Sequence, residues 1–303
     1  MPQPTQRSYL TGLMGSGIGP SLSPALHQRE ADRHRIRLVY RILDIDGHGE
    51  PAAAVAEFMR AARTLGFDGL NVTHPCKQLV IEHLDALSPT AAALGAVNTV
   101  VLKGDRAVGH NTDAAGFANS FARHLPGAPT GRVVQLGAGG AGAAVAHALL
   151  TLGCGTLQLL DTDPDRSARL ADALTQHFGA DRAQVLDRAR LPAALDAADG
   201  LVHATPTGMA AHPGTPLPTR LLHPGLWVAD IVYRPLETEL LRDARALGCR
   251  TLGGGGMVAL QAADAFELFT GLAAHTELML ADLAELTGRS DAGSPDTGLQ
   301  EAG

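Results

Sequence analysis

Lysine is almost missing from this chain: Lys77 and Lys103 are the only two, and arginine supplies the rest of the 24 basic side chains. Aromatic residues are scarce too, at 4% of 303. Cys76, Cys154 and Cys249 are too few and too scattered for a disulfide framework or a zinc site of close ligand pairs. That usage fits a reducing, cytoplasmic setting. No apolar run reaches the roughly 18 residues a membrane helix needs, and the opening MPQPTQRSYLTGLMGSG holds no long apolar segment of a secretion signal. Neither membrane spanning nor export is expected. Positive charge is not in excess: the formal net charge of −7 argues against a nucleic-acid partner. Glycine (35) and proline (18) are plentiful but follow no fixed period, which excludes a repeat architecture.

What is present is a chain with 45% hydrophobic residues, long enough for about two domains. In the first third, short apolar runs alternate with helical stretches: YLTGLMG, PALHQREADRHR, LVYRILDI, PAAAVAEFMRAARTLG, FDGLNVTHP. That order is the α/β signature. A helix over about Lys77 to Leu87 and a strand pair within AVNTVVLKGDRAVGHNTD complete an N-terminal domain with a mixed sheet, spanning 1–113. After Asp113 a helix, AAGFANSFARHL, leads through the breaker-rich stretch near Pro126 to Thr130 into RVVQLG, AGAAVAHALLTLG and TLQLLD, a βαβ unit. AQVLD, GLVHAT, LWVADIV and CRTLG are further strands, so 114–250 reads as a doubly wound, Rossmann-type dinucleotide-binding domain. Two helices follow over 251–288, and 289–303 has the composition of a disordered tail.

Gly137, Gly139 and Gly142 stand in GAGGAG between a strand and an alanine-rich helix. The first glycine allows a tight turn, the second a close approach to a pyrophosphate, the third close helix packing; the helix N-terminus favours the phosphates. Asp161 ends the next strand, where an acidic residue holds the adenosine ribose hydroxyls and repels a 2′-phosphate. This favours NAD over NADP. The alternative is that Asp161 caps the following helix, and Arg166 is close enough to offer a phosphate a positive charge.

A lysine retained in an arginine-rich chain invites a chemical reason, because lysine, unlike arginine, exchanges a proton near neutrality when its pKa is lowered. Lys77 follows NVTHPC at the start of a helix, although its position alone also suits a surface lysine. Asp113, in GHNTD, is a carboxylate that would orient such a lysine and share its proton. Cys76 beside it reads as a small buried thiol.

Together these blocks resemble the shikimate dehydrogenase family, and more closely its NAD-dependent quinate/shikimate dehydrogenase branch. SLSP (Ser21 to Pro24), NVTHPCK (Asn71 to Lys77), GAVNTV (Gly95 to Val100), GHNTD (Gly109 to Asp113), GAGGAG, HATPTGM, DIVYRPLETELL and GMVALQAADAF occur in the family's order from about Tyr9 to Leu286. The resemblance implies that Ser21 and Ser23 bind a substrate carboxylate, that Thr73, Asn98, Asp113 and Gln261 contact ring hydroxyls, and that Tyr233 lies on the substrate side. It makes Lys77 the proton-transfer residue with Asp113 beside it. Gly137, Ala138, Gly139, Gly140, Ala141, Asp161, Arg166, Thr205 and Gly254 fall at cofactor-side positions. It also implies a cytoplasmic oxidoreductase, monomer or homodimer, acting on shikimate, quinate or their dehydro forms, with NAD (NADP as the alternative) and no metal.

Two departures matter. NADP-dependent members commonly carry an N-R-T-like block where this chain has Asp161, Thr162 and Asp163, which resembles the NAD-using branch. Ser23, by contrast, is shared with many biosynthetic shikimate enzymes. His203 stands where an asparagine is common, which weakens the detailed cofactor contacts expected there. His27, His74 and His110 sit inside motif blocks and receive no catalytic role.

Overall fold

The computed structural model describes residues 7–292. Its N-terminal part runs β1 (Ser8–Gly15), α1 (Ser23–Arg33), β2 (Arg37–Asp44), α2 (Pro51–Thr64), β3 (Gly69–Val72), α3 (Cys76–Leu79), β4 (Ala86–Leu87), α4 (Pro89–Leu94), β5 (Thr99–Lys103) and β6 (Arg106–His110). The strands form one sheet in the order β2-β1-β3-β5-β6-β4. β1 is parallel to β2 and β3, while β5 is antiparallel to β3 and β6. The sheet is therefore mixed, as its short hairpin over Lys103 to Arg106 requires.

The second part runs α5 (Thr112–His124), β7 (Arg132–Leu136), α6 (Gly140–Thr151), β8 (Thr156–Leu160), α7 (Pro164–Phe178), β9 (Ala183–Val185), α8 (Leu191–Asp196), β10 (Gly200–His203), β11 (Trp227–Asp230), α9 (Glu239–Ala246), β12 (Arg250–Gly253), α10 (Gly255–Thr270) and α11 (Thr276–Ala292). Its six strands are all parallel, in the order β12-β11-β10-β7-β8-β9. This is the doubly wound Rossmann order, with its switch point between β7 and β10. Both faces are covered, so the central strands read as continuous apolar runs. Val133 packs with Val145, Leu149, Leu157 and Trp227 on one side, and Val134 with Leu195, Leu201, Val228 and Leu240 on the other.

The helix expected over Lys77 to Leu87 is broken. α3 ends at Leu79, a 3-10 turn covers Val80–His83, and Leu84 is extended. Asp85 donates its N–H to the Ala107 carbonyl and accepts the Ala107 N–H at 2.6 Å, so β6 draws the chain into β4. Four other elements have clear start signals. Ser88 caps α4, Asn111 caps α5, Asp163 caps α7 and Thr238 caps α9, each side chain accepting a first-turn N–H. At the C-terminal end, β12 extends the parallel sheet to Gly253, past the expected division at 250. α10 then packs on α5, α1, β1 and β5, and so joins the two sheets. α11 runs to Ala292, so residues 289–292 of the expected tail are helical; 293–303 lie outside the described residues.

Candidate active site

In the mixed sheet, one edge collects the carboxyl ends of β1, β3 and β6 with the start of β5. The segments leaving that edge carry Ser21 and Ser23, Thr73 and Lys77, Asn98, and Asp113. The topology thus gathers six of the expected residues from four separate loops. Lys77 Nζ lies 2.6 Å from Asp113 Oδ2, with both side chains largely but not fully covered, at 17% and 12% exposure. Asp113 stands in the first turn of α5, where the helix N-terminus favours its negative charge. The Lys77 carbonyl accepts the Val97 N–H at 2.8 Å, which fixes α3 against the segment that carries Asn98.

Behind these groups runs a buried polar line that the sequence reading missed. Tyr40 Oη donates to Asn71 Oδ1 at 2.8 Å. Asn71 Nδ2 donates to Thr99 Oγ1 and Thr99 to Asn98 Oδ1, each at 3.1 Å. Asn98 Nδ2 donates to Thr112 Oγ1 at 2.9 Å, and the Thr112 hydroxyl points at Gln261 Oε1, 3.4 Å away. Burial holds the Tyr40 phenol far above its usual range, so it stays a donor. Asn98 and Gln261 are thereby oriented by one connected network rather than individually. Thr112 lies inside GHNTD and so was within reach of a motif reading. Tyr40 is one residue of an ordinary strand and left no such signal.

The glycine loop follows β7. Gly137 has φ +101°, and a Cβ there would collide with the Ala204 carbonyl; one at Gly142 would collide with the Gly137 carbonyl. Nothing lies within 4 Å of a Cβ placed on Gly139, so the loop is open on that side. Gln135 Nε2 donates to both the Gly137 and Gly142 carbonyls, at 2.9 and 2.8 Å, and pins the turn. α6 starts at Gly140 and Ala141 with no side-chain cap. Its orphan first-turn N–H groups and the open Gly139 face fit a pyrophosphate.

Asp161 Oδ2 accepts the Ala138 N–H at 2.7 Å and Oδ1 accepts the Asp163 N–H at 2.9 Å. Burial alone would raise this carboxyl, but the Asp163 and Ala138 N–H bonds and the Arg166 charge outweigh it and hold it below the usual range. Asp163, not Asp161, caps the next helix. Arg166 lies 3.4 Å from Asp161 Oδ1 and 3.8 Å from Asp163 Oδ2. Thr205 follows β10, Tyr233 follows β11, and Gly254 follows β12 against the Ile231 carbonyl, so all three lie at the carboxyl edge of the parallel sheet.

The two edges meet. A Cβ on Gly140 would sit 3.9 Å from Lys77 Cδ, which sets the lysine of one sheet against the glycine loop of the other. Arg234 Nη1 donates to the Pro20 carbonyl at 2.8 Å, bringing the Tyr233 segment to the Ser21 loop. Burial raises the Tyr233 phenol despite the Arg234 charge beside it.

Residues 13–100 match the family model of the shikimate dehydrogenase substrate-binding domain. Over 94% of its length the chain is 68% identical to a shikimate dehydrogenase (NADP(+)) of Streptomyces avermitilis, of which it covers 98%. The chain belongs to the shikimate dehydrogenase family. It is also 49% identical to a quinate/shikimate dehydrogenase (NAD(+)) of Corynebacterium efficiens, covering 92% of this chain and 99% of that one. Among solved structures, the quinate dehydrogenase from Corynebacterium glutamicum in complex with NAD matches with a TM-score of 0.88 at 45% identity, over 92% of this chain and 99% of that one. Membership makes the chain an oxidoreductase that acts on a CH–OH group with a nicotinamide cofactor. Among the described residues, no helix is long and apolar enough to cross a membrane.

The remaining motif residues take structural places. His27 is fully buried beside the Tyr40, Phe266 and Phe269 rings, and burial, against the pull of Glu30, lowers its pKa to about 3. Cys76 is buried, and burial pushes its thiol to about 11. Glu30, His34 and His275 bring three ligand-type atoms within 4.8 Å of one another. Glu30 Oε1, however, already accepts from the His275 N–H and faces both imidazoles, so the group clasps α1 to the start of α11.

Proposed function

We propose that this protein is an NAD-dependent quinate/shikimate dehydrogenase of the cytoplasm. It interconverts the ring alcohol of shikimate or quinate with the ketone of 3-dehydroshikimate or 3-dehydroquinate. The single observation that carries the cofactor choice is the corner Asp161–Thr162–Asp163. Its two adjacent guanidinium groups are already engaged: Arg166 is shared between Asp161 and Asp163, and Arg169 faces Asp163 at 3.9 Å. A 2′-phosphate would meet the charges of Asp161 and Asp163 before it met a free cation, whereas ribose hydroxyls can donate to Asp161. Residues 1–113 would bind substrate, 114–250 the dinucleotide, and 251–288 would return to the substrate side.

In this reading Ser21 and Ser23 donate to the substrate carboxylate, and Thr73, Asn98, Asp113 and Gln261 hold the ring hydroxyls, with Tyr233 alongside. Gly137, Ala138, Gly139, Gly140 and Ala141 cradle the pyrophosphate; Asp161 and Arg166 flank the adenosine ribose, and Thr205 and Gly254 line the nicotinamide side. A bound nicotinamide dinucleotide supplies the hydride acceptor. In the oxidative direction Lys77 Nζ takes the hydroxyl proton, and Asp113 Oδ2, 2.6 Å away, orients the amine and shares that proton. In reverse the Lys77 ammonium stabilises the alkoxide oxygen and returns the proton, so the proton step needs no metal.

A second reading, a biosynthetic shikimate dehydrogenase using NADPH, is favoured by Ser23 and by the name of the Streptomyces avermitilis relative. Initial rates with quinate and shikimate, each against NAD and NADP, separate the two. The first reading expects kcat/KM to favour NAD by about tenfold or more, equivalent to about 1.4 kcal/mol. A preference for NADP with shikimate alone would establish the second.

A further inference from the structure

His203 and Asp230 end the adjacent strands β10 and β11 and are partners in register. Their side chains are 0% and 1% exposed, and His203 Nδ1 lies 2.9 Å from Asp230 Oδ1. The carboxylate also accepts the Val232 N–H at 3.0 Å and the Thr238 hydroxyl at 2.7 Å. A carboxylate oxygen accepts, so Nδ1 carries the hydrogen of this contact, and Nε2 is left to face the other side of the ring. The group facing Nε2 is Thr205 Oγ1. The Thr205 hydroxyl is thus held between the His203 ring and Thr207: its oxygen accepts the Thr207 N–H at 3.4 Å, and it donates towards Thr207 Oγ1 at 3.3 Å.

This arrangement stands at the switch point of the parallel sheet, between β7 and β10, where a doubly wound fold binds its ligand. Ala204, between His203 and Thr205, sets its carbonyl against Gly137 of the glycine loop. We propose that His203 and Asp230 are positioning residues for the cofactor: a buried imidazole–carboxylate pair that fixes the direction of the Thr205 hydroxyl and the path of residues 204–207 along the dinucleotide crevice. An asparagine at 203 would reach Asp230 in place of Nδ1 but has no atom where Nε2 meets Thr205. The histidine thus adds a second, outward contact. The proposal rests on the cofactor side of the function proposed above.

The full-length chain and its variants His203→Asn, His203→Gln, Thr205→Val and His203→Asn/Thr205→Val test this by titration with NAD and NADH alone, without a second substrate, alongside thermal unfolding. In His203→Asn the Asp230 contact survives and the Thr205 contact is lost. Dinucleotide Kd is expected to rise about three- to tenfold, the effect of one oriented hydrogen bond, with little change in Tm. Under turnover the dinucleotide KM should rise with it while the KM for the cyclic acid holds. His203→Gln keeps a hydrogen-bonding group for Thr205 and gives up Asp230, so it should lose more Tm than affinity. Thr205→Val should weaken binding like His203→Asn, and the double variant should be no weaker than either within about twofold, because one contact is removed twice. Unchanged dinucleotide Kd in His203→Asn or in Thr205→Val, or a double variant whose losses multiply, would overturn the proposal. If His203→Asn does not fold, Thr205→Val alone decides. A wild-type chain that binds neither NAD nor NADP would instead overturn the cofactor reading on which the proposal stands.

Discussion

Lys77 Nζ lies 2.6 Å from Asp113 Oδ2, although the two residues are 36 positions apart and belong to different helices. The pairing follows from strand directions. α3 leaves the carboxyl end of β3, α5 leaves the carboxyl end of β6, and both strands point the same way because the antiparallel β5 lies between them.

If this pair moves the proton, Lys77→Ala should lower kcat by about 10²- to 10⁴-fold while the fold survives, since Lys77 contributes little to either core. Lys77→Arg should be similarly slow, because a guanidinium does not give up its proton. Stopped-flow or steady-state absorbance of the reduced nicotinamide reads both. Near-normal turnover in either variant would remove Lys77 from the role.

Asp161 holds the Ala138 N–H as well as the corner charge. Asp161→Ala is therefore expected to raise the KM for NAD by about tenfold or more and to leave NADP less affected, since it removes a ribose acceptor and a phosphate repeller together. An unchanged ratio between the two dinucleotides would assign the preference elsewhere.

Gly137→Ala combines a backbone at φ +101° with a collision against the Ala204 carbonyl. A loss of about 2–4 kcal/mol is expected by denaturant unfolding, with weakened dinucleotide binding. Gly139→Ala, which meets no protein atom, should keep its stability and lose affinity alone.

His27 is neutral in the fold, with its pKa lowered to about 3, and it recovers 6.5 on unfolding. The unfolded chain then binds the extra proton, so stability from this residue is complete above pH 6.5 and is lost as pH falls towards 3. The slope in that window is about 1.4 kcal/mol per pH unit for one proton. His27→Phe should flatten the fall in chemical stability between pH 6.5 and 5, measured by urea midpoints. An equally steep fall would place the acid sensitivity in other groups.

Much of the site was legible because its residues occupy contiguous blocks whose local geometry is decided nearby. GAGGAG requires its turn, and NVTHPCK and GHNTD each place a charged side chain just after a strand. The alternation of elements was legible for the same reason. The broken helix after Lys77 was not, because the Asp85–Ala107 bonds that turn it into a strand come from a partner 22 residues away. The support of the site was likewise hidden. Tyr40, Asn71 and Thr99 act through contacts between strands, and His203 through a register pairing with Asp230. Such contacts leave no periodicity in the text; they exist only once the sheets are assembled.

The most direct test of the account is the fate of the hydrogen on the reacting carbon. Shikimate and quinate carrying deuterium at that ring carbinol carbon would each be incubated with the protein and NAD, and the products read by nuclear magnetic resonance and mass. The account predicts deuterium at C4 of the reduced nicotinamide from at least one acid, with the corresponding ketone formed in equal amount and none of either in Lys77→Ala above its residual rate. Deuterium that stays on the ring with both acids, or appears in water without reduced nicotinamide, would contradict it.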